Sequence, residues 1–400
     1  MLILCFTCLV SAYELQAQHV SGRIEASIVT GGSVESWQEK GIGATRFSGT
    51  ALKWQQGVLV GDYRLSPNWQ LKGVVNTYAD GEEHLGFTQA YVDYKPLSAN
   101  KIRFKARVGM FYPEMSVENT AKAWLSPYTY TQSAINSWIG EELRVFGGEV
   151  SWFTNGRKFR SPWSATFNMG TFKGNDPIGS LLTWRGWAMH DRQSLHHDKV
   201  QFADIPSVTN VDVFNSPTFV PVFSEIDGKW GSYAGLHIDY LRKTNIRYYI
   251  YNNRTNPNAI NAQRIYAWRT KFHSLALEHV VNKNWRILSQ MMTGSTLMGD
   301  NMVSADYTAA YLMASYKYQL HRTSVRIDYY DVDENDAHPQ DPNNNHGVGI
   351  TTAWRYAFSP NIELGAEYHF HKSNTDNRVL LGFNSKLSQT QLRLVASYLF

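Results

Sequence analysis

The chain repeats a period-two alternation of apolar and polar residues, and the connections between the alternating stretches are themselves alternately short and long. From Lys101 to Met110, Ile102, Phe104, Ala106, Val108 and Met110 fall on one face, with Lys101, Arg103, Lys105, Arg107 and Gly109 on the other. Such a strand keeps one face in lipid or a core and the other in water. The rhythm recurs in Ile24, Ala26 and Ile28, in Ile246, Tyr248 and Ile250, in Val325, Ile327 and Tyr329, and in Ile362, Leu364, Ala366, Tyr368 and Phe370. Roughly sixteen such stretches are counted, at about 22–31, 45–65, 68–79, 84–96, 101–112, 141–154, 163–173, 231–243, 245–254, 264–281, 285–297, 306–320, 323–333, 347–359, 361–372 and 389–400. Turn-like connections such as Ser66-Pro67-Asn68, Lys243-Thr244, His321-Arg322 and Ser359-Pro360-Asn361 follow the even-numbered stretches. Long ones, including 32–44, 113–140, 174–230, 334–346 and 373–388, follow the odd-numbered. An even strand count, one end made of turns and the other of loops predicts a closed, antiparallel, up-and-down transmembrane β-barrel. A soluble sandwich has no reason for this asymmetry.

The two ends of the chain agree. Leu392, Leu394, Ala396, Tyr398 and Phe400 share one face of the last stretch, with Arg393 and Ser397 between them. A terminal aromatic on a period-two strand is how bacterial outer-membrane barrels finish. Met1 to Ala12 is an apolar run free of acid and base, followed by small and polar residues around Ala17. It reads as a secretory signal over 1–17, cleaved after Ala12 or Ala17, with a single barrel domain over 18–400. Cys5 and Cys8 both lie in that segment, so the mature chain is expected to carry no thiol and no disulfide.

Beyond the first dozen residues no apolar run of about 18 residues is available for a membrane helix. The 13 Trp, 23 Tyr and 19 Phe, with a negative mean hydropathy, suit aromatic girdles around a polar interior. A net charge of +4 with no basic run interleaved with aromatics speaks against nucleic acid as a partner.

With these features the chain resembles the bacterial porins over essentially its whole mature length, at the level of architecture. The resemblance implies an outer-membrane location, a water-filled channel for small hydrophilic solutes, no cofactor, lipid and lipopolysaccharide as surroundings, and a homotrimer as one form of assembly. It implies that Tyr398 and Phe400 are read by the barrel-assembly machinery. It also implies that the third long loop, here Pro113 to Gly140, folds inward as a constriction. That loop holds Glu114, Glu118 and Lys122, the aromatics Trp124, Tyr128, Tyr130 and Trp138, and a short helix over 133–139 capped by Ser133.

Charge in a confined lumen sets selectivity. Lys101, Arg103, Lys105 and Arg107 form a ladder on one face directly before the constriction loop, and Arg144, Arg247, Arg269, Lys271, Arg326 and Arg355 are further candidates for a basic, anion-preferring wall. Glu114 and Glu118 are expected to oppose them across the pore. The competing role for these cations is pairing with Glu25, Glu149, Asp239, Asp328, Glu363 or Glu367 on neighbouring strands. The 174–230 loop is expected to fold over the mouth or pack on a neighbouring subunit. Its His196 and His197 lack metal-ligand spacing and read as solvated, while His369 and His371 read as lumen polar groups near the outer rim. A channel selective for sugars or oxyanions is a second reading, using the loop aromatics or the basic ladder. A barrel hydrolase is a third, although no Gly-x-Ser-x-Gly or His-Glu-x-x-His is present and Gly294-Ser295 stands without a motif.

Overall fold

The computed structural model describes residues 19–336 and 338–400; the expected signal segment lies outside the described residues. Eighteen strands follow in chain order. They are β1 (His19–Gly31), β2 (Thr50–Arg64), β3 (Trp69–Thr77), β4 (Leu85–Tyr94), β5 (Ile102–Phe111), β6 (Val145–Thr154), β7 (Trp163–Lys173), β8 (Lys199–Gln201) and β9 (Phe219–Pro221). The chain continues with β10 (Gly231–Tyr240), β11 (Thr244–Asn252), β12 (Arg269–Val280), β13 (Trp285–Met298), β14 (Val303–Tyr318), β15 (His321–Glu334), β16 (Asn345–Ala357), β17 (Ile362–Thr375) and β18 (Lys386–Leu399). All but β8 and β9, which pair only with each other, close into one antiparallel barrel of sixteen strands, each hydrogen-bonded to its sequence neighbours.

Closure is made by β1 on β18, in register from Arg23 opposite Leu399 to Gly31 opposite Gln391. Phe400 extends the seam: its N–H donates to the Gly22 carbonyl at 3.1 Å and its carbonyl accepts from the Gly22 N–H at 2.9 Å. The Phe400 ring lies so close over Gly22 that an added Cβ would come within 2.3 Å of it, which is why a glycine stands there. Among the described residues the closed barrel has no strand edge left for pairing with another chain.

The exterior is an apolar band. Leu52, Ile102, Val108, Phe146, Met169, Leu312, Ile327 and Leu394 all point outward and are each more than half exposed, a surface suited to lipid. At the turn end, outward aromatics pair across neighbouring strands: Trp69 with Tyr94 at 4.5 Å, Trp163 with Tyr240 at 4.4 Å and Trp285 with Tyr316 at 4.8 Å between ring centroids. These rings form the expected girdle.

Several strand limits differ from the reading by alternation. The second strand begins at Thr50, because 32–49 folds as a loop whose Ser36 hydroxyl donates to the carbonyls of Thr45 and Arg46. The sixth begins at Val145, because helix α1 (Ala134–Glu142) runs through the residues before it. The tenth barrel strand, β12, begins at Arg269 after a loop that holds Ile265, Ala267 and Trp268 in the core.

Candidate functional site

The barrel interior is divided into a packed half at the loop end and a hollow half at the turn end. The packed half begins with the loop between β5 and β6, here the inner loop. Ser133 caps α1, its hydroxyl accepting from the Asn136 N–H at 3.2 Å, and all nine residues of the helix are buried. The helix lies inside the barrel against β13, β14 and β15.

Wall and loop are joined by buried charge. Arg326 on β15 meets Glu118 at 2.7 Å and Asp328 at 2.7 Å, and also donates to the Thr131 carbonyl at 2.7 Å. Glu118 further accepts from the Ser133 hydroxyl and the Asn136 amide, each at 2.7 Å. Glu367 on β17 accepts the Tyr130 N–H at 2.6 Å and the Thr131 N–H at 2.8 Å, and pairs with Arg393 on β18 at 2.8 Å. A buried ion pair offsets its desolvation only when further hydrogen bonds satisfy the charge, and Arg326 and Glu118 have them.

The loop between β7 and β10, here the long loop, supplies a second layer. It carries α2 (Ser180–Trp184), the β8–β9 ribbon and α3 (Pro206–Thr209), and its 186–195 stretch is buried within the barrel mouth. Two adjacent carboxylates at the end of α1 hold it. Glu141 takes Arg185 in a two-point contact at 2.7 and 2.8 Å and stands 3.2 Å from His190 Nε2. Burial opposes its charge, but Arg185 and His190 outweigh this and hold the carboxyl at about 2. Glu142 instead accepts the Trp138 indole N–H, the Ser180 hydroxyl and the N–H groups of Gly179 and Leu181. Burial prevails over those bonds and pushes this carboxyl up to about 7. Deeper in the mouth, Asp191 meets Arg46 at 3.0 Å, Arg393 at 3.3 Å and the Gln55 amide at 2.6 Å. Burial again opposes ionisation, and Arg46 and Arg393 outweigh it, holding the carboxyl far below the usual carboxylate range.

Below this double layer lie three adjoining cavities of about 500, 500 and 400 Å³, which reach the turn end at Ser66, Leu320 and Leu399. Their walls carry twelve lysine and arginine side chains against four carboxylates. Fixed charge of one sign in a low-dielectric enclosure concentrates counter-ions.

Of the expected ladder, Arg103, Lys105 and Arg107 line one of these cavities, while Lys101 is exposed in the turn before β5. Arg103 lies over the Phe153 ring at 4.6 Å, and Arg107 pairs with Glu149 at 2.9 Å. Glu114 faces the ladder as expected, 3.3 Å from Lys105 and 3.9 Å from Arg107. The enclosing protein opposes its ionisation, yet those two cations outweigh this and hold it well below the usual range. Its side chain is 45% exposed to the cavity, so solvent screens the contact and it adds little stability. Arg247 borders the third cavity and donates to the carbonyls of Ser116 at 2.5 Å and Glu114 at 3.1 Å, bracing the start of the inner loop.

Other expected pore residues stand elsewhere. Glu118 and Arg326 are wholly buried as the loop anchor and face no solute. Arg144 is buried too, donating to the Ser194 carbonyl at 2.6 Å beneath the Phe223 ring, because α1 ends just before it and turns it toward the long loop. Arg269 and Lys271 project outward, since the inward register of β12 falls on Thr270 and Phe272. The aromatics divide likewise: Trp124 stacks on Tyr112 at 4.3 Å beside a cavity, and Tyr128 lies under Arg322 at 4.9 Å. Tyr130 lies under Arg355 at 4.4 Å, but Trp138 is buried among Trp187, Phe272 and Tyr307 and offers no stacking surface. His369 and His371 are buried beneath the loops, His369 bonded to Thr351 at 3.0 Å and His371 to Tyr330, so neither is a solvated lumen group. His196 and His197 are exposed, His197 standing 3.0 Å from Glu83.

Arg46, Arg185, Asp191, Glu367 and Arg393 carry the plug, and spacing did not mark them as a set. Asp191 and Arg393 are 202 residues apart, and only barrel closure brings them together.

No protein-family model matches the sequence, and no curated protein does. Solved structures match its shape. The outer-membrane channel DcaP of Acinetobacter baumannii is similar at 13% identity and a TM-score of 0.60, over 96% of each chain. The trimer form of OmpT, an outer-membrane protein of Vibrio cholerae, is similar at 10% identity and a TM-score of 0.55, covering 96% of this chain and 98% of that one. An anion-selective porin from Comamonas acidovorans is similar at 10% identity and a TM-score of 0.52, covering 96% and 99%. At these identities the likeness is one of fold: the chain is a closed sixteen-stranded barrel of porin shape.

Proposed function

We propose that this barrel is an outer-membrane porin that passes small hydrophilic solutes and prefers anions, with its turns in the periplasm and its loops outside. One observation carries the reading: the cavities below the inner loop are lined by twelve cations and four carboxylates. The plug tempers it. With two loops packed in the outer mouth, the channel is narrow and slow compared with an open barrel of the same strand count.

The Comamonas protein of the same fold is described as anion-selective, and the Vibrio protein as a trimer; both properties are inferred for this chain on that support. Tyr398 and Phe400, stacked outward at the seam, are proposed as the segment read during barrel assembly. The hydrolase reading loses ground because Ser295 shares the outward face of Lys271, its register partner, and so points away from the barrel interior and its cavities.

Reversal potential in a salt gradient across a planar bilayer tests the preference. The wild-type barrel is expected to favour chloride over potassium, and Arg103→Glu with Arg107→Glu to weaken or invert that preference without abolishing current. Equal permeabilities in both proteins would remove the anion assignment.

A further inference from the structure

One of the two larger cavities has a chemical character that a plain ion path does not need. On its wall Lys317 of β14 stands directly opposite Arg322 of β15, and Arg322 directly opposite Arg355 of β16. Three cations therefore sit side by side across three strands, an arrangement that is unfavourable unless anions intervene. Arg355 has its anion, Glu363, at 2.7 Å. Arg322 donates only to the Ser315 hydroxyl, at 3.2 Å, and lies over the Tyr128 ring. Among the described residues neither Arg322 nor Lys317 pairs with a carboxylate.

The remaining boundary is apolar. Val58 and Val60 come from β2, and Leu125 and Pro127 hang from the inner loop as a ceiling. Water and a small inorganic anion would satisfy the cations but leave this apolar surface wet. A ligand with an anionic end and a compact hydrocarbon body satisfies both, and a cavity of about 500 Å³ is in the range that holds small molecules.

We propose that this cavity is a binding site for small amphipathic organic anions, a carboxylate or sulfonate held by Arg322 and Lys317 with its apolar body against Leu125, Val58 and Val60. The inference rests on the channel reading only for the route by which the ligand arrives. Occupancy of the site needs no current.

Isothermal titration of the barrel in lipid nanodiscs tests it, with cyclohexanecarboxylate as the probe and empty nanodiscs as the blank. Acetate lacks the body, and cyclohexanecarboxamide lacks the charge. The expected result is saturable binding of cyclohexanecarboxylate, at least about tenfold tighter than either control, each control removing one of the two contacts. Arg322→Gln with Lys317→Gln should weaken it at least about tenfold, and Leu125→Asn should bring it toward the affinity of acetate. Resistance of the folded barrel to unfolding in cold detergent gels reports whether each variant is intact, and Arg322→Lys supplies a milder change should the double variant fail to fold. No saturable binding, equal binding of the carboxamide, or undiminished affinity in an intact double variant would overturn the site. A barrel that binds the probe but carries no current overturns the channel reading alone, whereas current without binding overturns the site alone.

Discussion

Arg326 on β15 and Glu118 in the inner loop stand 2.7 Å apart, and neither side chain is reached by solvent. The pair fixes the constriction loop to the barrel wall at a point where neither charge can be rehydrated without moving the loop. Removing one partner leaves the other charge buried, a cost of about 3–5 kcal/mol, whereas replacing both with apolar residues costs much less. Glu118→Gln and Arg326→Met are each expected to lower the unfolding temperature of the purified barrel and to expose Lys122 to trypsin. The double variant should recover only the part of the loss that comes from Glu118, because Asp328, the other carboxylate on Arg326, still lacks its cation. Unfolding scans and timed proteolysis of the four proteins check this, and additive losses would show that the two residues do not act as a pair.

Asp191 plays the corresponding part in the long loop, joining Arg46 and Arg393. Asp191→Asn keeps the shape and removes the charge that joins the two guanidiniums, leaving Arg46 with Asp80 alone and Arg393 with Glu367 alone. The expected outcome is release of the 186–195 stretch, seen as faster tryptic cleavage after Arg185 and Arg192 and as larger single-channel steps. Unchanged steps together with unchanged cleavage would mean that the latch is elsewhere.

Glu142 predicts a dependence on pH. Its folded-state value, pushed up to about 7 by burial, lies above the ordinary carboxylate value near 4.5. Native protein therefore binds more protons than unfolded protein between those values, and stability at this junction falls as pH rises from about 4.5 to 7, then levels. Glu141 is held at about 2, so its contribution is present throughout that window and is lost only in stronger acid. Hydrogen exchange of the Gly179 and Leu181 amides should accordingly show better protection at pH 5 than at pH 8, once corrected for intrinsic rates. Glu142→Gln should flatten the difference. An identical pH profile in the variant would place the titrating group elsewhere.

Phe400 closes the β1–β18 seam through its backbone, while its ring lies outside over Gly22. Phe400→Ala keeps the backbone bonds and removes the outward ring. Refolding from urea into detergent micelles should be nearly unaffected, whereas the amount of barrel assembled in cells should drop several-fold. Equal loss in both settings would make the ring a stability element and not an assembly signal.

The barrel was legible because its strands have one face in lipid and one in protein, which writes period two into stretches such as Lys101 to Met110. Charge at the ends of strands was misleading for the same reason: Arg269 and Lys271 sit where β12 leaves the apolar band, and water or headgroups accept an outward cation as readily as a lumen does. Ser133 announced its helix by local capping chemistry. Glu118 and Glu114, four residues apart, could not be sorted into anchor and pore acid from the sequence, because only the inward path of the loop buries one and leaves the other beside the ladder. The plug was hidden most deeply. Its ties link Asp191 to Arg46 and Arg393, and Glu367 to Thr131, across separations that no spacing rule spans.

Single-channel recording of the purified barrel in a planar bilayer, with a salt gradient applied, tests the plugged, basic channel most directly. The predicted result is a small conductance with a reversal potential on the anion side, raised severalfold in size by Asp191→Asn without loss of its sign. A large, unselective conductance in the wild-type protein, or none in either protein, would contradict it.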